Sequence, residues 1–229
     1  MGPGCENCPV LKTSLFQSLS REQISRLGCI FRPGHYRRNQ ILYFEGGSAL
    51  HLFALHSGLL KLVKPLENGR DRIMAVLFPG QLFGLEALTE RSYPLTAVTL
   101  RDSEICASPR EEFIAFLQAN PDIALGMVRF LVGELRRTRA QVSDMSFKDA
   151  RMKLATFLLS LVSVDSTNED PKLSLTLPLS RQEISEVLEL SPETVSRTLT
   201  AFRKEQLLTA RGRKLTIQNR PGLEAVAHR

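Results

Sequence analysis

Glu193, Ser196 and Arg197 stand three and four residues apart, which sets them side by side on one face of any helix that carries them. Their types suit the edges of bases. An arginine fork bonds guanine O6 and N7 together, a carboxylate accepts from cytosine N4, and a serine hydroxyl is a small adaptable contact. Cations surround them: between Arg197 and Lys214 the chain carries Arg203, Lys204, Arg211 and Arg213 as well, against a single acid, Glu205. Such a segment suits a polyanion, and double-stranded DNA is the polyanion these residues fit. The cysteines, Cys5, Cys8, Cys29 and Cys106, form a second group with chemical potential. Cytosolic chains seldom rely on disulfides, so these thiols serve metal binding, redox exchange or core packing. Cys29 and Cys106 lie in apolar stretches where a buried thiol is common, whereas Cys5 and Cys8 lie in a polar, glycine-rich terminus. His35, His51 and His56 could ligate a haem, but they carry no distinctive motif and suit ordinary packing.

The base-reading residues need a short helix held against another. Ser180 and Glu183 make a capping box that opens a helix, and a tight connection at Glu189-Leu190 leads to Ser191. Ser191 caps a second helix whose first residue is Pro192. That helix turns Val195, Leu199 and Phe202 inward and Glu193, Ser196, Arg197 and Thr200 outward. Two capped helices joined this way make a helix-turn-helix, whose second helix lies in a major groove. Residues 207–217 read as two β-runs around an Arg211-Gly212-Arg213 turn, a wing that brings Arg211, Arg213 and Lys214 near phosphates. The candidate DNA contacts are therefore Arg181, Gln182, Ser191, Glu193, Thr194, Ser196, Arg197, Lys204, Arg211, Arg213 and Lys214. A helical hairpin used only for packing is the alternative, and it would leave the outward face and the basic wing without purpose.

Upstream, Ser20 and Gln23 make another capping box, with Ile24 and Leu27 as the apolar face of a short helix. From about residue 30 to 108 the texture is β. Apolar runs at 40–44, 59–63 and 73–78 are separated by Gly46-Gly47, Ser57-Gly58, Asn68-Gly69 and Pro79-Gly80, the pattern of a small antiparallel barrel or roll. Asn120 then suits an N-cap and Pro121 a first helical residue. The stripe Ile123, Met127, Leu131, Leu135, Thr138, Val142 and Met145 predicts a long helix with a coiled-coil-like seam for a second copy of the chain, the alternative being packing on its own domain. A further helix follows at 148–162, then a polar loop at 163–172, with the hinge near 143–147. The expected architecture is α+β: a cysteine-bearing tail and β-roll at 1–119, a dimerisation helix at 120–146 and a winged helix-turn-helix at 147–229.

Length and composition agree with this. The chain has 229 residues, 43% hydrophobic and 24% charged, enough for two modest domains of an ordinary globular protein, and its net charge of +6 fits a polyanionic partner. No apolar run approaches the roughly 18 residues of a membrane helix. The first residues lack the basic and apolar regions of a signal peptide, so a cytoplasmic protein is expected. Phosphate-loop, nucleophile-elbow and zinc-protease motifs are missing, and Cys5-x-x-Cys8 precedes Pro9 without the βαβ setting of a thiol oxidoreductase. An enzyme is not expected.

Several motifs carry a family resemblance. Ile41-Leu-Tyr-Phe-Glu-Gly46, Ser57-Gly58, Pro79-Gly-Gln-Leu-Phe-Gly84, Leu179-Ser-Arg-Gln-Glu-Ile184 and Leu190-Ser-Pro-Glu-Thr-Val-Ser-Arg197 resemble the Crp/Fnr superfamily of bacterial regulators, over nearly the whole chain. The resemblance implies an N-terminal double-stranded β-helix of the cyclic-nucleotide-binding type, a long dimerisation helix and a C-terminal winged helix-turn-helix. It also implies a homodimer that binds DNA and works with RNA polymerase. Glu193 with Ser196-Arg197 looks like the oxygen-regulator branch, which reads palindromes of TTGAT-like half-sites. The cyclic-nucleotide branch holds its phosphate with a Gly-Glu and an Arg-Ser pair. Here those stretches read Gly84-Leu85-Glu86 and Leu95-Thr96, the arginine is missing, and cyclic AMP is not expected. Cys5, Cys8 and Cys106 match ligand positions of the iron–sulfur branch, the remaining one falling at Ser14, while Cys29 follows the first helix. The resemblance thus implies a 4Fe-4S cluster that responds to oxygen or nitric oxide. Cys29 is its fourth ligand, or the fourth is not a cysteine, or there is no cluster and the effector is a haem, a small molecule or a thiol.

Overall fold

From Arg32 to Pro109 the chain alternates apolar runs with tight turns, and it folds there as antiparallel strands. The structure is a computed structural model that describes residues 9–12, 20–67, 69–144, 149–165 and 174–228. Its contacts divide the chain into two units, Met1–Ala140 and Gln141–Arg229. In the first, the strands are β1 (Arg32–Tyr36), β2 (Ile41–Tyr43), β3 (His51–Ser57), β4 (Leu60–Pro65), β5 (Asp71–Leu77), β6 (Leu82–Phe83), β7 (Thr96–Thr99) and β8 (Ser103–Pro109). They form two sheets, ordered β1-β8-β3-β6 and β2-β7-β4-β5, the expected roll. The runs expected at 40–44, 59–63 and 73–78 are β2, β4 and β5, and β4 pairs with β5 as the Asn-Gly signal predicts.

One core joins the sheets. Leu52, Phe53 and Leu55 of β3, Leu60 of β4, Leu77 of β5 and Ile105 of β8 are buried together. Each large aliphatic side chain removed from water this way stabilises the fold by roughly 1.5–3 kcal/mol. The strands must also pass close to each other. Gly58 turns β3 into β4 at φ +97°, and a Cβ there would lie 2.1 Å from Ser103 Oγ and 2.6 Å from Ser103 Cα. Ser103 Oγ in turn accepts the Leu59 N–H at 3.2 Å.

Helices close the roll. α1 (Arg21–Ile30) begins at the expected capping box: Ser20 Oγ accepts the Gln23 N–H at 3.2 Å, and Gln23 Oε1 accepts the Ser20 N–H at 2.8 Å. Its Leu27 packs on the core beside Phe113 and Phe116 of α2 (Arg110–Ala119), a helix the sequence reading did not separate from the roll. α3 (Pro121–Asp144) starts at Pro121 as expected. The Asn120 side chain does otherwise than expected: its amide donates to Phe116 O at 2.7 Å and closes α2, because the two helices abut.

The predicted seam of α3 also needs correction. Ile123 and Met127 are 5% and 4% exposed, inside the core of their own unit. The exposed apolar residues are Leu125, Val128, Leu131, Val132 and Leu135. Leu131 and Leu135 of the predicted seam stay exposed, and Leu125, Val128, Val132 and Leu135 follow steps of three, four and three, a heptad seam that shares Leu135 with the predicted one. The helix has two apolar stripes near its start, and the one with Ile123 and Met127 joins the roll core. Of Thr138 and Val142 only the backbone is described, and Met145 lies outside the described residues.

The second unit contains α4 (Ala150–Asp165), β9 (Ser174–Thr176), α5 (Arg181–Leu188), α6 (Pro192–Lys204), β10 (Leu208–Arg211), β11 (Lys214–Ile217) and α7 (Arg220–Ala227). Asp149 Oδ1 accepts the Arg151 and Met152 N–H groups at 2.7 and 3.0 Å, an N-cap for α4. This helix continues to Asp165, into the segment expected to be loop; the rest of that loop, and 145–147 of the expected hinge, lie outside the described residues. Leu154, Leu158, Leu161, Ile184, Val195, Phe202, Leu208, Leu215 and Leu223 form the buried interior. No described helix is long and apolar enough to cross a membrane.

Replacing Gly58 by Ala combines a left-handed backbone with a backbone clash. It should destabilise the first unit by about 3 kcal/mol or more, read as a large fall in Tm.

Candidate nucleic-acid interface

The two short helices form as their caps dictate. Ser180 Oγ accepts the Glu183 N–H at 3.2 Å while Glu183 Oε2 accepts the Ser180 N–H at 2.8 Å, which starts α5. α5 ends on Glu189, left-handed at φ 51°, and the Leu190 N–H returns to Ser185 O at 2.9 Å. This turn redirects the chain into α6, where Ser191 Oγ accepts the Thr194 N–H at 3.1 Å. Val195, Thr198, Leu199 and Phe202 form the buried stripe of α6, and Glu193, Arg197 and Thr200 are exposed on its other side, with Ser196 half-buried beside them.

Other candidates fall around this face. Arg181 and Gln182 are exposed in the first turn of α5, and Lys204 is exposed at the end of α6. β10 and β11 pair with Arg211 opposite Lys214, and Gly212 turns between them at φ +62°. A left-handed first turn residue is the type II′ arrangement, whose twist matches that of the strands. β9 adds a third strand alongside β11. Arg211, Arg213 and Lys214 are all exposed at this tip. Among the described residues, no ion pair is formed by Glu193, Arg181, Arg197, Lys204, Arg211, Arg213 or Lys214. Their charges are available to a partner. Two candidates are differently engaged: Ser191 and Thr194 hold each other, their hydroxyls 2.9 Å apart, so their first role is to start the helix.

The cysteines divide. Cys29 is exposed near the end of α1, which overturns the expectation that it is buried. Cys106 is half-buried on β8, opposite Pro33 of β1 and Ala54 of β3. Cys5 and Cys8 lie outside the described residues, and among the described residues no group of three or more metal-binding side chains occurs. The described chain resumes at Pro9, next to Cys8, in a short 3-10 turn (Pro9–Lys12) whose Val10 is buried in the roll core. Pro9 O lies 3.4 Å from where a Cβ of Gly80 would be, and the Gly80 N–H bonds Leu55 O of β3 at 2.8 Å. Leu55 is next to Ala54, the residue opposite Cys106. Soft thiolates of this number suit an iron–sulfur centre, and the turn after Cys8 is tethered to the strand beside Cys106. Of the histidines, His35 and His56 flank Glu104, at 3.5 and 3.6 Å.

The roll interior is aromatic. Tyr43 stacks on Tyr93 with ring centres 3.8 Å apart, and Phe53 on Phe83 at 5.1 Å. Tyr93 Oη donates to His51 O at 2.7 Å. Burial, with Glu86 nearby, pushes the Tyr43 phenol above its ordinary range, so it stays neutral. A Cβ on Gly84 would lie 3.0 Å from the Phe53 ring, and the Thr96 hydroxyl already accepts the Glu45 N–H at 2.9 Å. A cyclic phosphate calls for a cationic partner, and Leu95-Thr96 stands where the Arg-Ser pair would be. Sequence reasoning did not single out this stack; Tyr43 lay within a recognised motif, but nothing local links it to Tyr93.

A β-roll joined to a helix-turn-helix with a basic wing is the build of a DNA-binding regulator. Residues 33–120 match the cyclic nucleotide-binding domain family, and residues 152–226 match the Crp-like helix-turn-helix domain family. The chain is 30% identical to the transcriptional activator protein FnrA of Stutzerimonas stutzeri over 97% of this chain and 92% of that one. It is 27% identical to the fumarate and nitrate reduction regulatory protein of Salmonella typhimurium, over 97% and 90%. The solved structure of FixK2 from Bradyrhizobium japonicum superposes with a TM-score of 0.69 at 28% identity, over 86% of this chain and 97% of that one. The chain belongs to the Crp/Fnr family of DNA-binding transcription regulators, proteins that are not enzymes and typically act as dimers.

The left-handed Glu189 costs the turn free energy that glycine would not. Glu189→Gly should raise stability by about 1 kcal/mol, seen as a Tm higher by a few degrees, with the helix-turn-helix intact.

Proposed function

We propose that this regulator reads a palindrome of TTGAT-like half-sites as a homodimer, with Glu193, Ser196 and Arg197 at base edges. Arg181, Gln182, Lys204, Arg211, Arg213 and Lys214 then hold phosphates. The observation that carries this reading is the outward face of α6, where a carboxylate and a guanidinium one turn apart lack ion-pair partners among the described residues. A buried stripe on the opposite side leaves that face free for a groove. The exposed seam of Leu125, Val128, Val132 and Leu135 supports pairing through α3, since a second copy is the natural cover for a heptad stripe.

The effector is an iron–sulfur cluster held by Cys5, Cys8 and Cys106, its fourth ligand being Cys29 or a group other than a cysteine. A bound cluster supplies chemistry sensitive to oxygen and nitric oxide. The tethered turn at Pro9–Lys12 supports this reading, because a change at Cys8 would be felt at the core through Val10. A cyclic nucleotide is not part of this reading, because Leu95-Thr96 replaces the Arg-Ser pair that would hold its phosphate.

For the interface, Arg197→Ala should cost about 1–3 kcal/mol on the palindrome and relax selection of one base pair. Lys214→Ala should weaken all duplexes alike and lower the salt dependence by about one unit. Electrophoretic or anisotropy titrations at several salt concentrations check both. For the effector, protein purified without air should be brown, with iron and sulfide nearly equal, and Cys5→Ser or Cys8→Ser should remove the colour and the oxygen dependence of DNA binding. A colourless, iron-free wild type, or oxygen dependence retained in both variants, would remove the cluster and turn attention to a haem, a small molecule or the exposed Cys29 thiol.

A further inference from the structure

We infer that Arg151 is a positioning residue of the reading helix: it ties the first turn of α4 to the C-terminal end of α6 and so sets how Glu193, Ser196 and Arg197 meet base edges. This rests on the reading of α6 as the DNA-contacting helix. Arg151 grips Glu205 with both arms of its fork, Nη1 to Oε1 at 2.8 Å and Nη2 to Oε2 at 2.6 Å. The same guanidinium lies over the ring of Phe202, 5.2 Å from its centre, and Phe202 is the last member of the buried stripe of α6.

The end of α6 needs such a tie. Glu205 follows its last residue, and a carboxylate there opposes the negative end of the helix dipole. Gln206 is left-handed at φ 56°, a conformation that favours glycine. Its N–H returns to Arg203 O at 3.1 Å, and that of Leu207 to Phe202 O at 2.9 Å, so the helix closes in a strained Schellman turn. Arg151 neutralises the misplaced charge and holds the turn. Its own backbone is pinned, because Asp149 caps α4 through the Arg151 N–H.

The tie gives direction more than stability. Arg151 and Glu205 side chains are 36% and 45% exposed, and ion pairs this open add little to folding. A bidentate fork stacked on a ring, however, fixes both distance and orientation. The apolar stripe beneath α6 is not directional. It holds the helix down without a directional bond, and the fork at the C-terminal end adds one.

The test uses the full chain with two duplexes of equal length, a TTGAT palindrome and an unrelated sequence, at fixed salt. Arg151→Met should weaken the palindrome about tenfold and the unrelated duplex little, with Tm nearly unchanged. Arg151→Lys, which keeps the charge but loses the fork, should show the same pattern more weakly. The exchanged pair R151E/E205R should recover the ratio of palindrome to unrelated binding, and Glu205→Gln covers the case in which the exchange does not fold. Equal loss on both duplexes would make Arg151 an ordinary phosphate contact, and no loss on either would make it purely structural; each overturns the inference. A wild type that cannot distinguish the duplexes would instead remove the reading of α6, and the inference with it.

Discussion

The C-terminal unit depends on the burial of one stripe, Val195, Thr198, Leu199 and Phe202, along α6. A helix of 13 residues has little stability alone, and packing supplies it. Because the stripe occupies one side, the other side is committed to solvent or to a partner. Glu193, Ser196 and Arg197 therefore reach outward as a consequence of what is buried opposite. The caps at Ser180 and Ser191 set the length of each helix, and the left-handed Glu189 sets the angle between them. The wing follows from the same economy of form: Leu208, Leu215, Leu175 and Ile217 face inward, and alternation leaves Arg211 and Lys214 outside.

The first unit obeys a comparable constraint. Its sheets share a core that includes the stacked pairs Tyr43–Tyr93 and Phe53–Phe83. Cys106 on β8 and the turn after Cys8 approach neighbouring strands of this unit. α3 serves both sides. Ile123 and Met127 seal the roll, while Leu125, Val128, Val132 and Leu135 remain for another surface.

Much of this was legible in local sequence. Capping boxes at Ser20 and Ser180, the Ser191-Pro192 start of α6 and the Arg211-Gly212-Arg213 turn are short-range patterns, and the structure contains each of them. What escaped was long-range. The side of α3 that is buried depended on the rest of the roll core, and no pattern within α3 states which of its two apolar stripes joins it. Asn120 looked like the cap of α3, but its amide closes α2. Cys29 looked buried among apolar neighbours, and it is exposed because helix periodicity turns Leu27 inward instead.

Sequence alone therefore determined the β-roll, the long helix, the helix-turn-helix and the wing in their order, the family and the chemical types on the reading face, since caps, turns and periodicity act over a few residues, whereas α2, β9 and α7 emerged only in the structure. Tertiary structure decided which apolar stripe of α3 stays exposed, the stacking of Tyr43 on Tyr93, and the fork of Arg151 on Glu205. Arg151 and Glu205 are 54 residues apart in the chain, and Tyr43 ends β2 while Tyr93 precedes β7. Contacts of that kind are set by how elements pack, and packing depends on all the neighbouring surfaces at once.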